Sequence, residues 1–391
     1  MSSWSNLRAR EVIAPDGQPE DAQDVSCLEG ARTMTANGQR SIAFALGGIG
    51  GSNAHGVGFL HAAAKEGIRP TYLSCTSGMI YWTWRWLEDC DLEQEFTNSA
   101  NDAISAVWRQ LPPSMLRSWL AYLYGGEGVF RPAIPEYFTR ILTRWYRTPP
   151  ERWCDLWFPA QILVPTRSEE VYQNIAKTFN ASDIAIFFNS FSPRLGTEHL
   201  HMNEAAWETY RAIQQERQER RPDDPHTQEM RKNGDLPSVR AEKITAESVR
   251  DALWLSLYGF EREGKPQERI DGAYARQFIL SELSSAHVIY IPRPQRYRWV
   301  GELPESLIEL QDLQTELWFN GAYAQQLARI ELVNRLLRNP NLKGPLEEQG
   351  FHEIEIVPIE IPVQRGFFNY FIEDTDVFYH AVEQSTLALR H

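Results

Sequence analysis

The sequence predicts an α/β fold, and three observations carry that reading. An apolar run, Ser41-Ile-Ala-Phe-Ala-Leu-Gly47, opens directly into a glycine loop and an apolar helical segment. A second strand-like and helix-like pair, Thr71 to Cys75 and Gly78 to Leu87, follows at once. Later apolar runs at Asp183 to Asn189, His287 to Ile291 and Glu353 to Ile361 supply further strands, the last two flanking a long amphipathic segment, Leu307 to Leu337.

Each element has a local reason. Ser41 to Gly47 is apolar without alternation, as a strand covered on both faces of a parallel sheet must be. Gly47-Gly-Ile-Gly-Gly-Ser-Asn53 then leads into a helix over Ala54 to Glu66, with Gly67 as its stop and Pro70 beyond. Thr71 to Cys75 is a short second strand, and Gly78 to Leu87 is apolar almost all round, as a helix in a large core would be. The unit closes as βαβα. Ala103 to Thr148 is aromatic and broken by prolines, which marks a cap inserted over about 100–160. Gln215 to Asp235 is charged and poor in apolar residues, a solvated loop over about 214–240. A helix over Ala246 to Tyr258, a Gly264-Lys-Pro266 stretch and a short strand at Arg269-Ile270 precede the strand at 287–291. No internal repeat is present. The organisation expected is a polar lead, 1–40, followed by one α/β domain, 41–391.

Composition narrows the function. The 391 residues are 42% hydrophobic and 12% aromatic, enough for a large core and against a disordered chain. With 52 acidic and 39 basic side chains the net charge is −13, which argues against nucleic-acid binding. The four cysteines, Cys27, Cys75, Cys90 and Cys154, form no CxxC pair, so neither a disulfide framework nor a structural zinc site is expected, and a reducing, cytoplasmic compartment fits best. The first 40 residues hold no apolar signal-like core, and no uncharged apolar run reaches membrane-spanning length.

The glycine loop is the first chemical candidate. Small residues between a strand and a helix leave backbone N–H groups free to face an anion, helped by the helix dipole. A dinucleotide fingerprint fails because Asn53 stands where a third glycine is needed, and a phosphate loop fails for want of Gly-Lys-Ser/Thr. What remains is a tight turn or an oxyanion hole formed by Gly48, Ile49, Gly50 and Gly51. The second candidate is Ser77 in Ser74-Cys-Thr-Ser-Gly-Met79, between a strand and a buried helix. Alone it reads as a helix N-cap; behind such a glycine loop it reads as a nucleophile elbow, with Gly78 opening the helix. The third is Asp271-Gly272, by itself a turn, whose carboxylate becomes a general base if burial raises its pKa.

In this order the parts resemble the patatin-like phospholipases, lipid acyl hydrolases with a Ser–Asp dyad on a three-layer α/β/α sandwich. The family's oxyanion loop matches Gly47-Gly-Ile-Gly-Gly51, and its next helix matches Gly58-Phe-Leu60 through Gly67-Ile68. Its G-x-S-x-G elbow falls on Cys75-Thr-Ser-Gly-Met79 and its Asp-Gly motif on Asp271-Gly272. Val249 to Ser256 and Ala286 to Ile291 resemble the segments flanking that aspartate, so the resemblance spans roughly residues 40–300. It departs where Cys75 and Met79 replace the elbow glycines, where Ile49 replaces a loop glycine and Gly51 or Ser52 its usual basic residue, and where Ala-Tyr-Ala-Arg276 follows Gly272. The resemblance implies catalysis by Ser77 and Asp271, with an acyl-Ser77 intermediate and no cofactor. An acyltransferase or cyclase using the same acyl-serine, and an inactive binding protein on the same fold, are the alternatives.

Other residues receive weaker readings. Cys75 at the strand end is expected to be a buried, inert thiol. His55 in the first turn of the helix is either a solvated polar residue or a proton relay. His199-Leu-His201 lacks an acidic partner in sequence beyond Glu198 and Glu204, and no metal site is expected. In the cap, Ala103 to Thr148 holds six arginines against two glutamates, and Arg140 to Arg147 is a candidate contact for an anionic lipid interface. The expected partner is therefore a lipid or acyl ester, with peripheral membrane contact through the cap.

Overall fold

The computed structural model describes residues 40–48, 53–100, 129–157, 159–211, 229–230, 238–294, 303–361 and 374–390. All of them lie in one unit, Arg40–His391. The polar lead, the first part of the cap and most of the charged loop fall outside the described residues.

In chain order the strands are β1 (Ile42–Leu46), β2 (Tyr72–Cys75), β3 (Phe130–Pro132), β4 (Leu163–Pro165), β5 (Ala185–Ser192), β6 (Thr197–Met202), β7 (Ser238–Lys243), β8 (Glu261–Arg262), β9 (Lys265–Pro266), β10 (Ile270–Asp271), β11 (Val288–Arg293) and β12 (Glu355–Glu360). The helices are α1 (Ala54–Lys65), α2 (Met79–Leu87), α3 (Leu92–Ala100), α4 (Ile134–Arg144), α5 (Trp153–Trp157), α6 (Glu169–Ala181), α7 (Ala246–Ala252), α8 (Leu307–Leu337), α9 (Pro340–Glu347) and α10 (Thr375–Arg390).

Eight strands form the central sheet in the order β12-β11-β1-β2-β5-β6-β7, with β10 added beside β5. The run from β12 to β5 is parallel; β6 and β10 both lie antiparallel to β5, and β7 follows β6 in parallel. The protein is thus a mixed α/β fold with a mostly parallel sheet flanked by helices. Alternation within β1 shows the two cores. Phe44 and Leu46 enter a cluster with Phe59 of α1, Ile80 of α2, Phe96 of α3, Phe179 of α6 and Phe378 of α10. Ala43 and Ala45 enter another with Tyr323 and Ile330 of α8. Burial on both faces is why β1 reads as a continuous apolar run.

Register brings the site together. Along β5, residues 187–192 pair with β6 on one edge, so β10 must take the other edge, the one β2 occupies further back. Strand β2 reaches Phe187 of β5 and β10 continues its line at Ser190 and Phe191, which sets Asp271 just past the end of β2. The residues following Cys75 therefore emerge toward Asp271.

Three expectations need correction. The helix expected over Ala246–Tyr258 stops at Ala252 and gives way to a 3₁₀ turn at Ser256–Tyr258, because the Trp254 carbonyl turns away to accept the Asp271 N–H at 2.8 Å. The short strand expected at Arg269-Ile270 is Ile270–Asp271 instead. The charged loop ends earlier than about 240, since Ser238 already begins β7.

Candidate active site

Ser77 follows β2 by two residues and precedes α2 by two, and its backbone is left-handed, φ 53°. For a residue with a Cβ this conformation costs about 1–2 kcal/mol, so the surrounding turn must hold it. It does so through Thr76. The Thr76 N–H donates to the Leu46 carbonyl (3.0 Å), its hydroxyl donates to the Gln277 carbonyl (2.7 Å), and its carbonyl accepts from Met79 N–H (3.1 Å). Ser74 adds a bond from its hydroxyl to the Ile279 carbonyl at 2.9 Å. The end of β2 is pinned to the 277–279 segment by two side chains that strand patterning does not single out.

The Ser77 side chain lies by the Asp271 carboxylate and favours its charged form. Both residues are only 2% exposed. Burial pushes the Asp271 carboxyl up to about 6 from its ordinary 3.8, against the opposing effects of Ser77 and of the Ala273 N–H, which donates to it at 2.9 Å. No cation is among the causes of that shift. An aspartate held against a serine hydroxyl in a desolvated place, with a pKa near neutrality, has the properties of a general base. Gly272 is required by close approach: a Cβ there would collide with the Asn189 side chain and carbonyl. Asn189 in turn donates to the Gly272 carbonyl at 3.2 Å and to Glu198 at 2.7 Å. Glu198 is ion-paired at 2.8 Å with Arg276, whose guanidinium also binds Glu282 at 2.7 Å. A partly buried Glu–Arg–Glu network thus backs the Asp-Gly turn, and the sequence reading missed it.

The glycine loop corrects one expectation and leaves three outside view. The Gly48 N–H is already used, donating to the Thr76 carbonyl (3.1 Å) and hydroxyl (3.2 Å), so it is not free to bind an oxyanion. Ile49, Gly50 and Gly51 lie outside the described residues. Gly48 has a different function: a Cβ on it would stand 2.5 Å from the Thr76 oxygen and 2.7 Å from the Gly78 nitrogen. Its bare Cα lets the two backbones approach this closely, and among the described residues the Gly78 N–H has no hydrogen-bond partner. Next to Ser77 and at the start of α2, it is a donor ready for a developing negative charge.

No known family model matches the chain, and no curated protein matches it. The site therefore stands on its geometry.

His55 is neither solvated nor a relay to Ser77. It is fully buried, its Nε2 bonds the Gly47 carbonyl at 2.8 Å, and burial pulls its pKa down to about 4. A neutral ring that must donate from Nε2 anchors the start of the glycine loop. Cys75 is buried and burial pushes its thiol well up, so it is protonated and unreactive. Both histidines of His199-Leu-His201 are buried, and their acidic partner is Glu242 of β7, 2.8 Å from His199 and 3.7 Å from His201. Sequence proximity pointed to Glu198 and Glu204, but Glu198 is committed to Arg276 and Glu204 to Lys243. His201 also shares a 2.9 Å bond with Ser190, directly across from Asp271.

Proposed function

We propose that this chain is a serine acyl hydrolase of patatin-like type, with a three-layer α/β/α sandwich and a Ser77–Asp271 dyad that cleaves a lipid or related carboxylic ester. The observation that carries this reading is the left-handed Ser77 whose hydroxyl meets a buried Asp271 of raised pKa.

In the reaction the Ser77 Oγ attacks the acyl carbonyl carbon and its proton passes to Asp271. The Gly78 N–H faces the oxyanion that forms. The intermediate collapses, the ester C–O bond breaks, and Asp271 returns the proton to the leaving alkoxide as it departs as the alcohol. Water then attacks acyl-Ser77, giving its proton to Asp271 and releasing the carboxylic acid as Ser77 recovers its own. The low exposure of both residues favours, as a second reading, transfer of the acyl group to an acceptor other than water, because a dry site protects an acyl-enzyme from hydrolysis.

The test is hydrolysis of a series of nitrophenyl esters of increasing acyl length by the wild type and by Ser77→Ala and Asp271→Asn, with and without an added alcohol. Turnover lost in both variants supports the dyad, and acyl-alcohol product in the presence of the alcohol selects the transferase. Turnover retained in either variant refutes it.

A further inference from the structure

The segment around α4 holds an exposed apolar surface that the dyad does not explain. Helix α4 has no buried residue. Ile134, Phe138 and Leu142, spaced i, i+4, i+8, are 44%, 58% and 71% exposed, and Trp145 and Tyr146, just beyond, are 58% and 59% exposed. They make one apolar stripe along the helix and the turn after it. The opposite side carries Thr139, Arg140 and Thr143.

Charge selects the occupant. Glu136 is held by Arg131, and Arg140 by Gln161 at 3.0 Å. Arg144 and Arg147, flanking the stripe, have no acidic partner among the described residues, and the Arg147 guanidinium lies over the Tyr146 ring at 5.2 Å. Two uncompensated cations beside exposed Trp, Tyr and Leu, on a chain whose net charge is −13, suit a surface that is apolar below and anionic at its rim. A protein partner would need to cover the stripe with apolar side chains and add its own acids; a bilayer with anionic headgroups supplies both at once.

The stripe is also tied to the dyad. Helix α4 is preceded by β3 and followed, after α5, by β4, and Phe130 and Leu163 of that hairpin pack with Trp254, Tyr258 and Ile270. Ile270 precedes Asp271, and Trp254 accepts the Asp271 N–H. We propose that α4 and the Trp145–Arg147 turn lie in the plane of an anionic lipid surface, from which the acyl substrate reaches the buried dyad. The substrate part of this inference rests on the acyl hydrolase reading; the docking does not.

The experiment separates the two. Full-length Ser77→Ala, which leaves lipid intact, is sedimented with vesicles of phosphatidylcholine alone and of equal parts phosphatidylcholine and phosphatidylglycerol. It binds the anionic vesicles more tightly. Adding Phe138→Asp and Leu142→Asp weakens that binding by at least about tenfold, since two apolar side chains no longer enter the lipid. Adding Arg144→Glu and Arg147→Glu instead removes the preference for phosphatidylglycerol. With Ser77 restored, the Phe138→Asp, Leu142→Asp protein keeps wild-type turnover of a water-soluble short ester but loses turnover of a vesicle-borne one. Absence of vesicle binding, or binding that ignores the four substitutions, overturns the docking whatever the esterase assay gives. A dimer in solution that the aspartates dissolve, without vesicle binding, assigns the stripe to a second copy and overturns it too. Loss of vesicle turnover with binding unchanged overturns the route from the lipid surface.

Discussion

The Met79 thioether fills the space that a side chain at Gly56 would occupy. Met79 opens α2 directly after the Ser77 turn, and Gly56 lies in the first turn of α1. The bare α1 backbone is what lets a bulky residue stand where the patatin-like pattern has the second elbow glycine. Gly56→Ala should gain up to about 1 kcal/mol of helix propensity but lose about 1–3 kcal/mol to overpacking, a net destabilisation. In a Met79→Ala background the collision is gone and the same change should stabilise. Urea unfolding of the four proteins checks this reversal of sign; additive effects would contradict the contact.

Activity should fall as pH drops through about 6, because Asp271, the proposed general base, must be ionised and titrates there. The stability effect has the opposite direction. Folded Asp271 titrates near 6 and an unfolded one near 3.8, so between these values the folded state binds the extra proton, and the residue's contribution to stability declines as pH rises through that window. Asp271→Asn escapes the cost of ionising a buried carboxyl. It should be more stable than the wild type at neutral pH by up to about 3 kcal/mol, with the gain gone by about pH 4. Asp251 is also pushed up to about 6, so the quantity to measure is the difference between variant and wild type at each pH, by thermal unfolding.

Arg276→Met should be among the most damaging changes outside the dyad. It leaves Glu198 and Glu282, both close to the Asp-Gly turn, without their shared cation, at a cost of about 3–5 kcal/mol. Without Arg276 the burial of Glu282 raises its pKa and it takes a proton more readily, so the loss should be larger at pH 8 than at pH 5. Denaturant midpoints at the two pH values decide it.

His55→Phe should slow turnover, since the Gly47 carbonyl loses its donor and the glycine loop its anchor. It should not move the acid limb near pH 6, because His55 is neutral down to about 4 and Asp271 sets that limb. A pH–rate profile whose limb shifts in this variant would return His55 to the proton path.

The β1–α1–β2–α2 unit was legible because strands covered on both faces carry unbroken apolar runs and glycines end the elements. Ser77 and Asp271 could be singled out for the same reason: each sits at a strand end that the pattern marks. Strand β6 was missed because its buried residues include Thr197, Glu198, His199 and His201, satisfied by partners far away in sequence. Strand β7 was missed because it is exposed and charged. The α6 helix does carry Tyr172, Ile175, Ala176 and Phe179 at helical spacing and was readable. Nothing local marks Thr76, Asn189 or Arg276, whose parts in the site depend on bonds to residues 6 to 201 positions away. The availability of Gly48 was misjudged because a glycine in a loop shows where backbone can approach, not whether its N–H is already bonded.

Activation of Ser77 by Asp271 can be read from labelling with a fluorophosphonate probe, followed by intact-mass measurement and peptide mapping. Wild type should carry one adduct, on Ser77, and neither Ser77→Ala nor folded Asp271→Asn should carry any. An adduct that persists in Asp271→Asn, or a folded wild type that stays unlabelled at high probe concentration, would contradict it.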